Sequence, residues 1–226
     1  MARKIQVFNL PHSPNLSHEQ ELWDQKLGAI AGLDEAGRGA WAGPVSAAAV
    51  ILPQDEHLCE ILNGVRDSKQ MTAKQRVYWA GIIRTEALAW GVGFASHQEI
   101  DQQGIIAATR LAMARALQEL STPPDHLLID ALRLPQINLP QSALIKGDRR
   151  SLSIAAASIL AKTSRDAFMI EQDAVYSGYN FGQHKGYGTR RHQQALAKLG
   201  PCPIHRLSFK PLREGLWSEK ELSDSL

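Results

Sequence analysis

Apolar positions along the chain gather in short runs separated by turn residues, and no stretch repeats. Gly28–Leu33 and Val45–Leu52 are runs of strand length, the second closed by Pro53, with a glycine-rich segment between them. The chain therefore opens with strand, turn and strand. Thr72 is placed to cap a helix running to about Leu88. Leu88–Ser96 then reads as a third strand, weakened by Gly91 and Gly93, and Ser96 and Glu99 have the spacing of a capping box. Gly104–Leu120 predicts a helix that stops before Pro123 and Pro124. His126–Asp130 predicts a short strand ending in a carboxylate, Ala143–Ile145 another strand, and Ser151–Glu171 a long Ala-rich helix. From Tyr176 the sequence turns rich in Gly, His and cations, with a helix at Thr189–Leu199 closed by Gly200 and Pro201. The expected layout is an α/β domain over 28–175, an N-terminal extension over 1–27 and a small helical appendage over 176–226.

Composition narrows the class. The 226 residues can bury a core unaided, and 44% hydrophobic with 21% charged residues excludes disordered and fibrous chains. A net charge of +2 permits a nucleic-acid partner without demanding one. Cys59 and Cys202 are too few for a disulfide framework or a four-cysteine zinc site, which points to the cytoplasm. Apolar runs such as Ile154–Ala161 fall far short of the ~20 residues of a membrane span, so no membrane is expected.

The chemistry lies in the acids. Asp34 and Glu35 end the first predicted strand, and two charges ~4 Å apart repel by about 4 kcal/mol at an effective dielectric of 20. A divalent cation would reverse that penalty, and a solvated acidic turn is the competing reading. Asp130, at the end of another strand, favours the cation. On the long helix Ser158, Lys162 and Asp166 fall four apart on one face, as a functional stripe or as a surface ion pair. Asp34, Glu35, Asp130 and Asp166 then make four oxygen donors, enough for Mg²⁺ or Mn²⁺ in two-metal phosphoryl chemistry. The turn Gly37-Arg38-Gly39 lacks the spacing of a nucleotide loop, and glycine would let bare backbone approach a ligand. Ser68 and Lys69 offer a hydroxyl and a cation, and Tyr187 is an aromatic among cations.

Taken together, Ile30–Gly39, Gly43-Pro44-Val45, Asp67-Ser68-Lys69, Ile129-Asp130, Gly147-Asp148, Ser153–Lys162, Arg165-Asp166, Gly186–Thr189 and His205-Arg206 resemble the ribonuclease HII family of type 2 ribonucleases H. The resemblance implies an RNase H-like mixed central sheet flanked by helices, with a small C-terminal helical appendage completing the substrate cleft. It implies Asp34, Glu35, Asp130 and Asp166 as catalytic metal ligands for Mn²⁺ or Mg²⁺, one ion in the free enzyme and a second with substrate. Gly37, Arg38, Gly39, Ser68, Lys69, Lys162 and Tyr187 are implied as nucleic-acid contacts. The implied activity is cleavage of the RNA strand of RNA–DNA hybrids and cutting 5′ of single ribonucleotides in duplex DNA, leaving 3′-hydroxyl and 5′-phosphate ends, by a cytoplasmic monomer. One departure is Ala131, where the family usually has glycine after the third acid.

Overall fold

The computed structural model describes residues 10–55 and 57–215. In chain order the elements are α1 (Ser17–Trp23), β1 (Ile30–Ala36), β2 (Val45–Ile51), α2 (Leu58–Ile61), α3 (Ala73–Glu86), β3 (Ala89–Ala95), α4 (His97–Gln103), α5 (Ile105–Gln118), β4 (His126–Asp130), β5 (Gln141–Leu144), α6 (Leu152–Val175), α7 (Phe181–His184), α8 (Arg190–Leu199) and α9 (Lys210–Arg213). Short 3-10 turns lie at Ser68–Gln70 and Gly147–Arg149. Local chemistry sets the helix starts. Thr72 and Ser96 each form a reciprocal capping box, with Gln75 and Glu99, and Ser151 and Thr189 cap α6 and α8.

The five strands form one mixed sheet in the order β3-β2-β1-β4-β5. β1 runs antiparallel to β2 and parallel to β4, so the opening hairpin is continued by crossover connections. Alternate side chains face opposite layers. Ala31, Leu33, Ala47, Ala49 and Ile129 pack with Ile100, Ala112 and Met113 of α4 and α5. Ala48 and Val50 pack on the other face with Ala80, Ile83 and Ile159 of α3 and α6. Gly91 and Gly93 serve this packing, since a Cβ at either would lie 2.3 or 2.2 Å from a carbonyl oxygen of α5. The mixed sheet flanked by helices that the sequence implied is therefore present.

The structure extends two predicted elements. β1 runs one residue past Asp34 and Glu35, to Ala36, because β2 pairs with it that far. α6 runs on to Val175. The N-terminal residues contain α1, which the sequence reading left unassigned. Its Glu19, 1% exposed, accepts bonds from the Ser151 and Ser153 hydroxyls and the Ser153 N–H at the start of α6.

The C-terminal segment has its own small core of Tyr179, Phe181, Leu196, Ile204 and Leu212, closed by Ala42 and by Met169 of α6. Three imidazoles sit inside it. His184 stacks on His192 with centroids 4.4 Å apart, and His192 Nε2 lies 3.0 Å from His205 Nε2. Burial, then the neighbouring imidazoles, pushes His192 down to about 3; burial pushes His205 down to about 4.

Two fully buried arginines join this segment to the sheet. Arg165 donates to the carbonyls of Ala42, Pro44 and Lys185. Arg206 donates to those of Arg38, Gly43 and Pro44. Each guanidinium is thus satisfied by carbonyl oxygens, which is what allows it to be buried. Of the expected C-terminal appendage, 216–226 lie outside the described residues, as do 1–9 of the N-terminal extension.

Candidate active site

Parity and register bring the acids together. Leu33 of β1 pairs with Ile129 of β4, and both face α5, so Asp34 and Asp130, one residue further along parallel strands, face the opposite layer side by side. Asp34 is 4% exposed, and its Oδ1 accepts the Glu35 N–H at 2.7 Å. Asp130 Oδ1 accepts the Gly147 N–H at 2.7 Å, which anchors the 3-10 turn carrying Asp148. Ala131, in the glycine position, keeps that turn by adopting φ 52, and its N–H donates to Leu144 at 3.0 Å. The left-handed backbone at an alanine costs roughly 1–2 kcal/mol.

The electrostatics identify the members. Burial, followed by the charges of Glu35, Asp130 and Asp148, holds the Asp34 carboxyl well above its ordinary range. Burial raises Glu35, against its bond to Arg38, and raises Asp130, against its bond to Gly147. Asp148, 5% exposed, is pushed up to about 6 by burial and then by Asp130 and Asp67. Lys69 faces all of them. Burial opposes its charge, but Asp67, Asp34, Asp148 and Asp130 together raise it. Among the described residues, no three Asp, Glu, His or Cys side chains are drawn close enough to ligate one ion as they stand. Like charges hold apart, and Glu35 Oε1 is occupied by Arg38 at 2.9 Å. A hard cation nevertheless fits this donor set, because it is made of carboxylates and Glu35 Oε2 is buried with no partner.

Asp166, expected as the fourth acid, is placed elsewhere. Its Oδ1 takes Lys162 Nζ at 2.7 Å and its Oδ2 takes Arg76 at 3.2 Å. Arg76 also donates to the carbonyls of Ser68 and Met71, so Asp166 braces the turn that carries Lys69. The leading charges acting on Asp34 and Asp130 come from Asp148, Asp67, Lys69, Glu35 and Arg38 instead. Asp148 is the acid that sequence reasoning left without a role. The only sequence signal for it was the Gly147-Asp148 pair ahead of the Ala-rich helix.

The seven expected nucleic-acid contacts are gathered. Gly37, Arg38, Gly39, Ser68, Lys69, Lys162 and Tyr187 line one pocket of about 300 Å³ together with Glu35. Ser68 receives the Ser158 hydroxyl at 2.8 Å, which ties that turn to α6. The Tyr187 ring is held 5.2 Å from Lys162 Nζ and 5.4 Å from the Arg165 guanidinium. Gly37 has φ 92, and a Cβ there would lie 1.9 Å from Arg165 Nε, so the turn closes on the buried arginine only because the residue is glycine.

Known proteins resemble this chain in sequence and fold. The family model described as Ribonuclease HII matches residues 31–212. A ribonuclease HII of Chloroflexus aurantiacus is 52% identical over 208 residues, 91% of this chain and 97% of the relative. One of Roseiflexus castenholzii is 54% identical over 200 residues, 88% and 89% of the two chains. The crystal structure of the ribonuclease H2 from Pyrococcus horikoshii superposes with a TM-score of 0.68 at 25% identity, covering 86% of this chain and 99% of that one. Bst-RNase HIII, solved in complex with Mn²⁺, shares the fold with a TM-score of 0.64 at 18% identity, over 85% of this chain and 71% of its own. With the family model spanning most of the sequence and relatives above half identical along nearly their whole length, the chain belongs to the ribonuclease HII family.

Proposed function

We propose that this protein is a metal-dependent endonuclease that hydrolyses the RNA strand of RNA–DNA hybrids and cuts duplex DNA 5′ of single embedded ribonucleotides. The observation that carries the reading is the placement of Asp34 and Asp130 side by side at the ends of parallel strands, with the Asp148 turn tied to Asp130 through Gly147, beside a pocket lined by Gly37–Gly39 and Tyr187. Asp34, Glu35, Asp130 and Asp148 would hold Mn²⁺ or Mg²⁺, one ion in the free enzyme and a second with substrate. Such ions supply an acidified water for in-line attack on phosphorus and charge compensation at the departing 3′-oxygen. Cleavage then leaves 3′-hydroxyl and 5′-phosphate ends.

The chain's own residues do the recognition. Backbone groups of Gly37-Arg38-Gly39 approach the ribose 2′-hydroxyl, the one group that separates RNA from DNA at a fixed position. Tyr187, fixed by Lys162 and Arg165, stacks on the following sugar, where a deoxyribose fits without a 2′-hydroxyl to accommodate. Lys69 stands among the carboxylates as a counter-charge for the scissile phosphate. The protein needs no nucleophile of its own.

An end-labelled DNA duplex with one ribonucleotide, incubated with Mg²⁺, Mn²⁺ or EDTA beside an all-DNA control, tests the reading. A metal-dependent cut immediately 5′ of the ribonucleotide is expected. Tight binding with no cut under either metal would make this a binding module and its acids structural.

A further inference from the structure

A second groove, with about 190 Å³ of free space, opens beside the acidic cluster between 11–14, 63–70 and Arg149. It adjoins the active site: Asp67 and Arg149, both in its lining, are among the charges that act on Asp148. Its N-terminal wall is fixed relative to Arg149, because the Asn15 N–H donates to the Arg150 carbonyl and the Leu152 N–H donates to that of Asn15. Arg66 and Arg149 both reach this groove, and among the described residues neither forms an ion pair. The acid in the lining, Asp67, spends one oxygen on the Lys69 N–H at 2.9 Å. Two guanidinium groups against one carboxylate leave the groove with a net positive charge.

We propose that this groove is an anion subsite that takes one backbone phosphate of the bound duplex between Arg66 and Arg149. The proposal rests on the nuclease reading above, which requires a duplex backbone to run past Asp148. Guanidinium groups match phosphate oxygens with paired, charge-assisted hydrogen bonds, and a phosphate needs no other feature of the site. The lining holds no Phe, Tyr or Trp on which a base could stack, so the ligand is the backbone and not a nucleotide. His12 and Gln70 add polar groups at the rim. The subsite would fix the register of the duplex on the enzyme while carrying no sequence information.

The test measures binding in EDTA, where cleavage is silent, by fluorescence anisotropy of a labelled duplex containing one ribonucleotide. Phosphates are replaced one at a time by neutral methylphosphonates, and each duplex is titrated with wild type and with Arg66→Ala. Arg66 is exposed, so the variant keeps its fold. One linkage is expected whose neutralisation weakens wild-type binding several-fold and weakens binding by Arg66→Ala, which keeps Arg149, distinctly less. The slope of log K against log salt should fall in the variant by up to about 0.9, the value of one phosphate contact. Equal penalties in both proteins at every linkage would overturn the proposal. So would displacement of the duplex by inorganic phosphate at constant ionic strength with no linkage coupled to Arg66, which would mark a free-anion site. Cleavage of the unmodified duplex with Mn²⁺ is scored separately, so failure of the nuclease reading and failure of the subsite give different results.

Discussion

Replacing Asp166 and Asp148 separately by asparagine divides their roles. Asp166→Asn removes the charge between Lys162 and Arg76, whose contacts span 2.7 and 3.2 Å with all three side chains 13–17% exposed. An exposed pair contributes about 0–1 kcal/mol, and losing one partner of a fully buried pair costs about 3–5 kcal/mol. The intermediate exposure and the amide oxygen that remains place the expected loss at roughly 1–3 kcal/mol. For a domain of this size that lowers Tm by about 2–12 °C. Asp148→Asn acts in the opposite direction. Burial and the neighbouring acids push its carboxyl up to about 6, so at neutral pH the ionised form is disfavoured in the fold, and neutralising it relieves up to roughly 3 kcal/mol before screening. Melting by circular dichroism together with cleavage of the ribonucleotide-containing duplex reads both effects. Asp148→Asn should melt no lower than wild type and cut at least about 10²-fold more slowly, whereas Asp166→Asn should melt lower and still cut. Wild-type cleavage by Asp148→Asn, with none by a normally melting Asp166→Asn, would return the fourth metal-holding place to Asp166.

Three further outcomes are expected. His192 and His205 are buried neutral with lowered pKa values, so the stability they contribute is complete above about pH 6.5 and declines as pH falls towards 3–4. Near pH 5 the loss is about 2 kcal/mol per ring. Hydrogen-exchange protection factors over 176–215 should fall between pH 7 and 5 while those of β1 and β4 hold, and unchanged protection would refute it. Mn²⁺ or Mg²⁺ at a hundredfold over its Kd should stabilise wild type by about 2.7 kcal/mol, with most of that shift absent in Asp34→Asn; equal shifts would place the ion elsewhere. Gly37→Ala should cost about 2–4 kcal/mol in a thermal melt and lose cleavage at a lone ribonucleotide, because its Cβ would displace Arg165. A variant that melts and cuts like wild type would show that the turn adapts.

Periodicity made the sheet and the main helices legible. Val45–Ile51 is apolar apart from Ser46, whose hydroxyl bonds the Ala161 carbonyl, because both faces of β2 are covered, and Thr72, Ser96 and Thr189 mark helix starts by side-chain chemistry alone. Gly91 and Gly93 weakened the third strand in the sequence, yet they are there because α5 lies close against it. Asp34 and Asp130 were found through their strand positions, since register is encoded in alternation. Asp148 was not, because it sits in a 3-10 turn whose placement depends on the Asp130–Gly147 bond across 17 residues. Asp166 attracted attention because four-residue spacing on a helix is visible in sequence, whereas its partner Arg76 is 90 residues away. Arg165 and Arg206 gave no sign of burial, since their partners are backbone carbonyls that any sequence supplies.

Those two arginines also decide when the enzyme becomes functional. Their bonds to the carbonyls of 38–44 close loops of 121 to 168 residues, so the Gly37–Gly39 turn and the residues after it are held by distant parts of the chain. Contacts this distant in sequence form late, after the local helices and the β1–β2 hairpin. A nascent chain ending before Arg206 would hold the four carboxylates and Arg165 but lack the guanidinium that bonds the carbonyls of Arg38 and Gly43. Chains terminated before Arg206 are therefore expected to cleave poorly, for want of an ordered turn.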